Sequence, residues 1–504
     1  MIVRNVRKRL MVSLIALFLG GLNLRAETTK LHILQTSDIH SSTYLKDYNL
    51  FKMLTLLKKT QALYNKDKTL LIDTGDFIHG NFEASYSNGY SSLCLLKAFN
   101  FDITVVGNHE LDYNLTDLKN NMKKLDVQLY AANITNKKNG ELIFSNYKIF
   151  TKDGVKILVV PLTVPDNGLY DFTRDYKFEN YDNAMKRITK ELKEQKITAD
   201  IYVLAVHDGF RNYSRNRVYS LLKKYPFFNI ILGAHMHKLI PGEKTPNGGY
   251  YTQAGYHAQG FIDLTIDFDK KTRKILNVSS KFEAVKKDTP EDPALKKLFY
   301  DEFVKQFPEC GRKTFASVNA EIKPDDIDLY NSTAVNLIGN ALKEQIKTDY
   351  AIIGQLKKNA TLKKGNINDF DLYMFFKYED NCYKTHLNFN EYQTIINNLV
   401  KSKQKTLNIY GLKTIVNKKG KIIEDIILKD GSIWQQNPQK RISFATNRFA
   451  LTNWRSKTFA NIARSQKSKT TKEPIIVRKA LKRFLQLQQN KSYHADKTKY
   501  LIVK

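Results

Sequence analysis

The chain has 504 residues, which is enough for two domains with separate hydrophobic cores. Hydrophobic residues make up 42% of it and aromatic residues 12%, a composition that excludes a globally disordered protein. Its 81 Lys and Arg residues against 50 Asp and Glu residues give a net charge of +31. Because the lysines are spread along the whole chain, this charge favours a solvated basic surface that steers anionic substrates over a dedicated nucleic-acid groove.

The N-terminus is typical of a secretory signal peptide. Basic residues precede the apolar run Leu10–Leu22, and the polar Glu27 follows Ala26. We expect cleavage after Ala26, removal of residues 1–26 and export of the protein to the periplasm, the cell surface or the medium. The alternative is a retained anchor, but the run is short for spanning a membrane. No later segment approaches the ~20 apolar residues that a membrane helix needs.

Strand-like and helix-like segments then alternate as far as Glu283. The strand candidates are Leu31–Thr36, Thr69–Ile72, Phe101–Val106, Val127–Ala131, Val155–Val160, Ile201–Val206 and Asn229–Leu232. The amphipathic stretches between them are Asn49–Tyr64, Asn114–Lys124, Asn183–Lys196 and Arg217–Lys224. This alternation predicts a layered α/β domain. Three consecutive β-hairpin strands are predicted to complete it, at Gly249–Gln253, Gly260–Phe268 and Ile275–Phe282.

A second, smaller α/β domain is predicted after a helical connector at Asp288–Phe307. Its helices are expected at Asn331–Lys347, Asn368–Phe376, Glu391–Lys401 and Pro474–Gln489. Its strands are expected at Leu407–Ile409, Lys413–Asn417, Ile422–Leu428 and Arg441–Ala445. The predicted boundaries are 30–285 for the first domain, 286–325 for the linker helix region, 326–490 for the second domain and 491–504 for a polar tail.

Five predicted strand ends of the first domain carry groups that bind metals or transfer protons. They read Ser37-Asp38-Ile39-His40, Asp73-Thr74-Gly75-Asp76, Gly107-Asn108-His109-Glu110, Val206-His207-Asp208-Gly209 and Gly233-Ala234-His235-Met236-His237. In open α/β sheets, ligands bind at the C-terminal ends of the strands. Each motif alone is ordinary, and His207 alone would be interpreted as a core histidine. Five such motifs in order indicate one shared site.

The motifs together supply seven nitrogen and oxygen ligands and no thiolate: Asp38, His40, Asp76, Asn108, His207, His235 and His237. Seven ligands are too many for one ion. They suit two divalent transition metals bridged by a carboxylate, in the range of Mn, Fe, Zn or Co rather than Mg or Ca. The remaining histidines are predicted to be structural or surface residues: His32, His79, His257, His386 and His494.

This ordered set resembles the calcineurin-like metallophosphoesterase superfamily, in particular its secreted branch of 5′-nucleotidases, 2′,3′-cyclic phosphodiesterases and nucleotide-sugar hydrolases. The resemblance implies two central mixed sheets flanked by helices, with the catalytic domain at 30–285. It implies one metal on Asp38, His40, Asp76 and His237, and a second on Asp76, Asn108, His207 and His235.

The same resemblance implies a catalytic dyad of His109 and Asp112. A hydroxide that bridges the two metals would attack phosphorus, while His109, oriented by Asp112, would protonate the leaving oxygen. Glu110 is interpreted as a supporting or helix-start carboxylate and is given no direct catalytic role.

The second block is similar to the nucleotide-binding domain of that family. Its landmarks are matched by Val335–Leu342, Gly365–Ile367, Leu407–Leu412 and Phe444–Phe449. The resemblance implies that Phe449 and Tyr378 stack on a base. The family's substrate-contacting arginine is replaced by Asn359, and most glycines of the turn before it are gone. The catalytic domain therefore matches the family more fully than the domain that would select the substrate.

The sequence predicts an exported metal-dependent hydrolase of small phosphate esters such as nucleotides, cyclic nucleotides or nucleotide sugars. Two alternatives stay open. One is a related metallohydrolase that acts on a non-nucleotide substrate, for example a sugar phosphate or a sulfur ester. The other is a basic protein that binds nucleic acid or an anionic envelope polymer. The complete ligand set favours an enzyme, while the metals, the substrate and the oligomeric state stay open.

Overall fold

The computed structural model describes residues 27–504 except 114, 166–174, 212, 214, 312, 355, 357–358, 378–379, 403–405, 453–456 and 466–470. The predicted signal segment 1–26 and Tyr378 therefore lie outside the described residues. Within the described part of the chain, every helix is too short or too polar to cross a membrane.

The first domain contains two β-sheets that face each other. The five-stranded sheet has the spatial order Lys274–Ala284, Gly260–Asp269, Thr28–Thr36, Thr69–Asp73 and Ile103–Thr104. The six-stranded sheet has the order Leu239–Lys244, Tyr250–Ala254, Ile230–Gly233, Ile201–His207, Val155–Thr163 and Lys148–Lys152. One hydrophobic cluster fills the space between them, with Ile33 and Ile72 from the first sheet and Val159 and Val203 from the second. Both sheets mix parallel and antiparallel pairs.

Helices cover the outer faces of both sheets. The five-stranded sheet is covered by Leu50–Leu63, Tyr90–Phe99, Leu115–Leu125 and Pro293–Gln306. The six-stranded sheet is covered by Tyr181–Glu194 and Arg217–Lys224. A short helix at Phe82–Tyr86 and a small strand pair, Ile134–Asn136 with Tyr176–Phe178, complete the domain. The predicted sandwich of two mixed sheets flanked by helices is confirmed.

Some local predictions in this domain were wrong. Val127–Ala131 is not a strand, because only Tyr130 forms isolated bridges there. Tyr250–Ala254 does not form a hairpin with Gly260–Asp269; it pairs with two strands of the other sheet. The hydrophobic pattern identifies a strand but does not identify its partner. The strands Lys148–Lys152 and Leu239–Lys244 were not predicted, because these edge strands are largely exposed and lack a buried apolar run.

The second domain contains a five-stranded sheet in the order Leu407–Tyr410, Tyr350–Gly354, Ile442–Asn447, Asn381–Leu387 and Thr471–Ile476. Hydrophobic clusters cover both of its faces. Its helices are Thr333–Ile346, Asp369–Phe375, Phe389–Ser402, Arg448–Thr452, Lys457–Ser465 and Val477–Gln486. Ile422–Leu428 forms only isolated bridges instead of the predicted strand.

The last residues of the chain pack against this domain instead of forming the predicted polar tail. The strand Ser492–Tyr493 pairs with Ala316–Val318, which also pairs with Gly365–Ile367. The strand Leu501–Val503 pairs with Thr414–Val416. The physical reason is that Tyr493 and Leu501 are apolar and become buried, so ordering this short segment removes their side chains from water.

The two domains meet beside the strand ends that carry the polar motifs. Phe82 and Phe303 of the first domain form an aromatic cluster with Tyr373 of the second. The Tyr373 hydroxyl also donates a hydrogen bond of 3.0 Å to the carbonyl of Gly80, four residues after Asp76. The second domain is therefore held directly over the loop that contains Asp76.

Candidate active site

A first cluster of candidate ligands consists of Asp38, His40 and His237, whose ligand atoms lie within 4.8 Å of one another. The Nε2 atoms of His40 and His237 are 3.1 Å apart, and His237 Nε2 is 3.6 Å from Asp38 Oδ1. The backbone amide of His235 donates to both Asp38 oxygens, at 3.0 and 3.1 Å, and so fixes that carboxylate. Burial lowers the pKa of His40 well below its usual value, which keeps its imidazole neutral and available as a ligand.

A second cluster consists of Asp76, His207 and His235, and Asn108 joins it. The Asn108 side-chain oxygen is 3.1 Å from His207 Nε2 and 2.9 Å from His235 Nδ1. On its other side His207 Nδ1 lies 2.8 Å from the carbonyl of Thr74. A proton on Nδ1 would make that hydrogen bond and leave Nε2 as the ligand atom, as is usual for metal-binding histidines.

Asp76 connects the two clusters. Its Oδ1 accepts a hydrogen bond of 2.9 Å from the amide of His109. Its Oδ2 is 3.1 Å from His207 Nε2 in one cluster and 3.9 Å from His40 Nε2 in the other. Although burial lowers the pKa of His207, the negative charge of Asp76 outweighs it and raises that pKa to about 10. Asp76 therefore attracts positive charge to the point where the clusters meet.

The backbone of the ligand loops is strained. Asp38, His40, Asp76, His235 and His237 all have positive φ angles, between 50° and 68°. This conformation costs an ordinary residue on the order of 1 kcal/mol, and such outliers concentrate at functional sites. Five of the seven candidate ligands thus adopt a backbone conformation that is uncommon for residues other than glycine.

Gly75 and Gly107 allow the loops to approach closely. A Cβ atom at Gly75 would lie 2.7 Å from His207 Nδ1, and one at Gly107 would lie 2.2 Å from Asp76 Oδ1. Gly75 also has a φ of +101°, which favours glycine. The glycine before Asp76 is therefore explained by its contacts with His207 and with the next loop.

The donor set fits the two ions that the sequence predicts. Both clusters offer only imidazole nitrogens and carboxylate or amide oxygens, and they share one carboxylate. Such sites suit divalent transition metals, and the geometry does not distinguish among them. Burial raises the pKa of Asp38 to about 7. A bound cation would offset the cost of keeping this carboxylate charged away from water.

His109 and Asp112 form a close pair beside these clusters. His109 Nδ1 is 2.6 Å from Asp112 Oδ2; His109 directly precedes the 3₁₀ turn Glu110–Asp112, and Asp112 ends it. Such a turn brings side chains three residues apart onto the same side. Burial lowers the pKa of His109, but Asp76 and Asp112 outweigh it and raise the pKa to about 9. The two carboxylates therefore favour the protonated form of His109.

Two histidines that were predicted to be structural or surface residues lie in the wall of this site. The ring of His79 stacks on that of His109, with centroids 4.8 Å apart and planes at 16°. The amide of His257 donates 2.8 Å to the carbonyl of Asp38, and its ring lies 5.3 Å from that of His40. His79 follows Asp76 by three residues in the same loop, and this spacing was the available sequence signal.

Glu110 links the two loops of the site instead of facing the ligand cluster. Its Oε2 accepts from the amides of Asp76 at 2.9 Å and Gly107 at 2.6 Å. Its Oε1 accepts from the amides of Phe77 at 2.8 Å and Ile78 at 3.1 Å. One buried carboxylate thus receives four backbone hydrogen bonds and holds the Asp76 loop against the loop that carries Asn108 and His109.

The predicted substrate residues Phe449 and Asn359 line one cavity of about 110 Å³ in the second domain, together with the buried Asp380. The Phe449 side chain is 41% exposed, so its ring is accessible. Tyr378, the other predicted stacking residue, lies outside the described residues. The cavity is small compared with typical ligand sites of ~300–1,000 Å³, so it suits a single flat ring rather than a whole nucleotide.

Residues 31–239 match the calcineurin-like phosphoesterase family. The chain carries a calcineurin-like phosphoesterase domain. Members of this family are hydrolases that act on phosphoester bonds, and the match spans all five strand-end motifs up to His237.

Individual relatives extend the similarity beyond this domain. The chain is 24% identical over 398 residues to a 5′-nucleotidase of Vibrio vulnificus, covering 69% of this chain and 71% of the relative. It is 26% identical over 399 residues to the protein UshA of Yersinia enterocolitica, covering 69% of this chain and 72% of the relative. The crystal structure of a 5′-nucleotidase precursor from Thermus thermophilus aligns with a TM-score of 0.60 at 16% identity. That alignment covers 94% of this chain and 99% of the other, so the two-domain fold is shared.

Proposed function

We propose that this chain is an exported, metal-dependent hydrolase of phosphate esters that acts on nucleotides or nucleotide-like compounds. The observation that carries the proposal is the position of Asp76 between two ligand clusters, with the His109–Asp112 pair beside it. Export rests on the predicted signal segment at 1–26. The nucleotide assignment rests on the similarity to 5′-nucleotidases and on the aromatic cavity around Phe449.

The two clusters indicate which residues would hold each of the two ions. Asp38, His40, Asp76 and His237 would hold one, and Asp76, Asn108, His207 and His235 would hold the other. When bound, two divalent cations lower the pKa of water and neutralise the charge on phosphate oxygens. The amide of His235 and the carbonyl of Thr74 keep Asp38 and His207 oriented for ligation.

His109 is proposed to donate a proton to the leaving oxygen of the ester. The Asp112 carboxylate accepts the Nδ1–H of His109 and fixes the ring, so that the transferable proton is carried on Nε2. The raised pKa of His109 favours the protonated ring. The His79 ring stacks on the His109 ring and restricts the His109 ring to one plane.

The proposal is tested by a screen of substrates with the metal-reconstituted protein. Nucleoside monophosphates, cyclic nucleotides, nucleotide sugars, an aryl phosphate and glycerol phosphate are each assayed with Mn²⁺, Zn²⁺, Fe²⁺ or Co²⁺. Turnover of a nucleotide that is abolished by a chelator and restored by the metal supports the proposal. Turnover of glycerol phosphate without turnover of any nucleotide would favour the non-nucleotide alternative, which the small cavity and Asn359 motivate. No turnover of any ester would overturn the hydrolase.

Replacing His109 by alanine is expected to lower kcat by about 100-fold or more, since proton transfer by a positioned side chain contributes on that order. The metal content should stay near that of the wild type, because His109 belongs to neither ligand cluster. Steady-state kinetics and elemental analysis measure the two quantities. Full activity of this variant would remove His109 from the mechanism.

Replacing Phe449 by alanine is expected to raise KM for nucleotides by about tenfold, because stacking on an aromatic ring contributes ~1–3 kcal/mol per base. Glycerol phosphate has no ring, so its KM should change much less. The measurement is a comparison of KM for the two substrates in the wild type and the variant. Equal changes for both substrates would show that Phe449 does not stack on a base.

A further inference from the structure

Arg448 brings a charge from the second domain to the dyad of the first. It follows the strand Ile442–Asn447 and begins the short helix Arg448–Thr452. Its Nη1 donates a hydrogen bond to Asp112 Oδ1 across the domain boundary. The other oxygen of Asp112, Oδ2, is bound to His109 Nδ1 at 2.6 Å. The carboxylate is therefore held at both ends, by a histidine of its own domain and by an arginine of the other.

The contact lies in a largely buried setting. The Asp112 side chain is 6% exposed and that of Arg448 is 22% exposed. Burial opposes ionisation of Asp112, but Arg448 and His109 outweigh it and hold its pKa well below the usual range. His79 Nε2 also lies near this carboxylate, 3.9 Å from Oδ2, and it has no hydrogen-bond partner among the residues that the structure describes. Arg448 and His109 thus supply the positive charge that Asp112 needs when it is buried.

The backbone that carries Arg448 is fixed by the buried side chains beside it. Asn447 donates 2.6 Å to Asp380 Oδ2 and accepts 2.8 Å from the amide of Gly354. The amide of Phe449 also donates to Asp380 Oδ2, at 3.3 Å. Two consecutive residues of the second domain therefore reach two different parts of the proposed site. Arg448 reaches the dyad, and Phe449 lines the cavity proposed for the substrate ring.

We propose that Arg448 is a positioning residue that completes the His109–Asp112 dyad from the second domain. With Oδ1 held by the guanidinium, the Asp112 carboxylate cannot rotate, so Oδ2 stays on His109 Nδ1 and the imidazole keeps one orientation. The dyad is then fully oriented only when the two domains are in the contact seen here. This inference rests on the proposed function, because it assigns a role within the same hydrolytic site.

The first test is kinetic. Arg448→Ala is expected to lower kcat about 10- to 100-fold, the size usual for loss of a residue that orients a ligating or catalytic group. KM for glycerol phosphate and the metal content should change little. Arg448→Lys should recover part of kcat, because it keeps the charge but not the planar fork. The control is Arg441→Ala, since Arg441 is a half-buried arginine whose carboxylate partner, Glu391, lies in its own domain. That variant should keep the wild-type kcat.

The second test asks whether Arg448 acts through Asp112. Arg448→Ala is combined with Asp112→Asn, and both kcat and the unfolding temperature of the metal-free protein are measured for the four members of the cycle. In the Asp112→Asn background, we expect Arg448→Ala to lower kcat by less than about twofold. Its effect on the unfolding temperature should fall to less than about a third of the effect in the wild type. Independent effects on both quantities would overturn the proposal, and so would wild-type kcat in Arg448→Ala. If the wild type hydrolyses no ester, the proposed function fails, and the unfolding cycle alone then decides whether the two residues are coupled.

Discussion

Asp76→Asn is expected to lower kcat by on the order of 1,000-fold or more and to remove most of the bound metal. The change keeps the size of the side chain and can keep the hydrogen bond from the His109 amide to Oδ1. It removes the negative charge from the point that lies 3.1 Å from His207 Nε2 and 3.9 Å from His40 Nε2. It also places the NH₂ group of the new asparagine where the carboxylate oxygen faced the imidazoles of His207 and His40. A ligand shared by both clusters is lost, so both ions should be affected.

The measurement is metal stoichiometry by elemental analysis together with kcat on the best substrate of the screen. Asp67→Asn serves as a matched control, because Asp67 is exposed on the same domain and lies in neither cluster. It should bind metal and turn over substrate as the wild type does. Retention of two ions and of substantial activity by Asp76→Asn would contradict the shared role of Asp76.

The grouping of the candidate ligands could be predicted from the sequence because each motif is local. A buried strand followed by Asp-x-His or His-x-His specifies both the element and the end of it that carries the ligands. Parallel strands then bring those ends to one edge of a sheet, as seen for the adjacent strands that end before Asp38, Asp76 and Asn108. The positive φ angles of the candidate ligand residues could not be predicted in this way. Asp and His adopt this region more often than most residues do, but each still does so only uncommonly.

The contacts that join distant parts of the chain could not be predicted in the same way. Arg448 and Asp112 are 336 positions apart, and nothing in either local sequence identifies the other. The pairing of Tyr250–Ala254 with the six-stranded sheet is a similar case, because periodicity shows burial and not the neighbouring strand. Glu110 stands within a recognisable motif. Three of its four hydrogen bonds come from amides of the Asp76 loop, however, so its role emerges only from the folded chain.

Glu110→Gln is expected to destabilise the first domain by about 3–5 kcal/mol. Each oxygen of Glu110 accepts two backbone amides, so an NH₂ group at either position leaves two buried donors without an acceptor. An unsatisfied buried group costs ~1–3 kcal/mol, and the loss of a charged acceptor adds to this. The loops of Asp76 and Gly107 should then separate, and kcat and metal content should fall although Glu110 contacts the Asp76 loop only through backbone amides. Urea unfolding, compared with the exposed Glu194→Gln, measures the change. Wild-type stability combined with a large loss of kcat would instead place Glu110 in the chemical step, because a purely structural carboxylate cannot affect turnover without affecting the loops it holds.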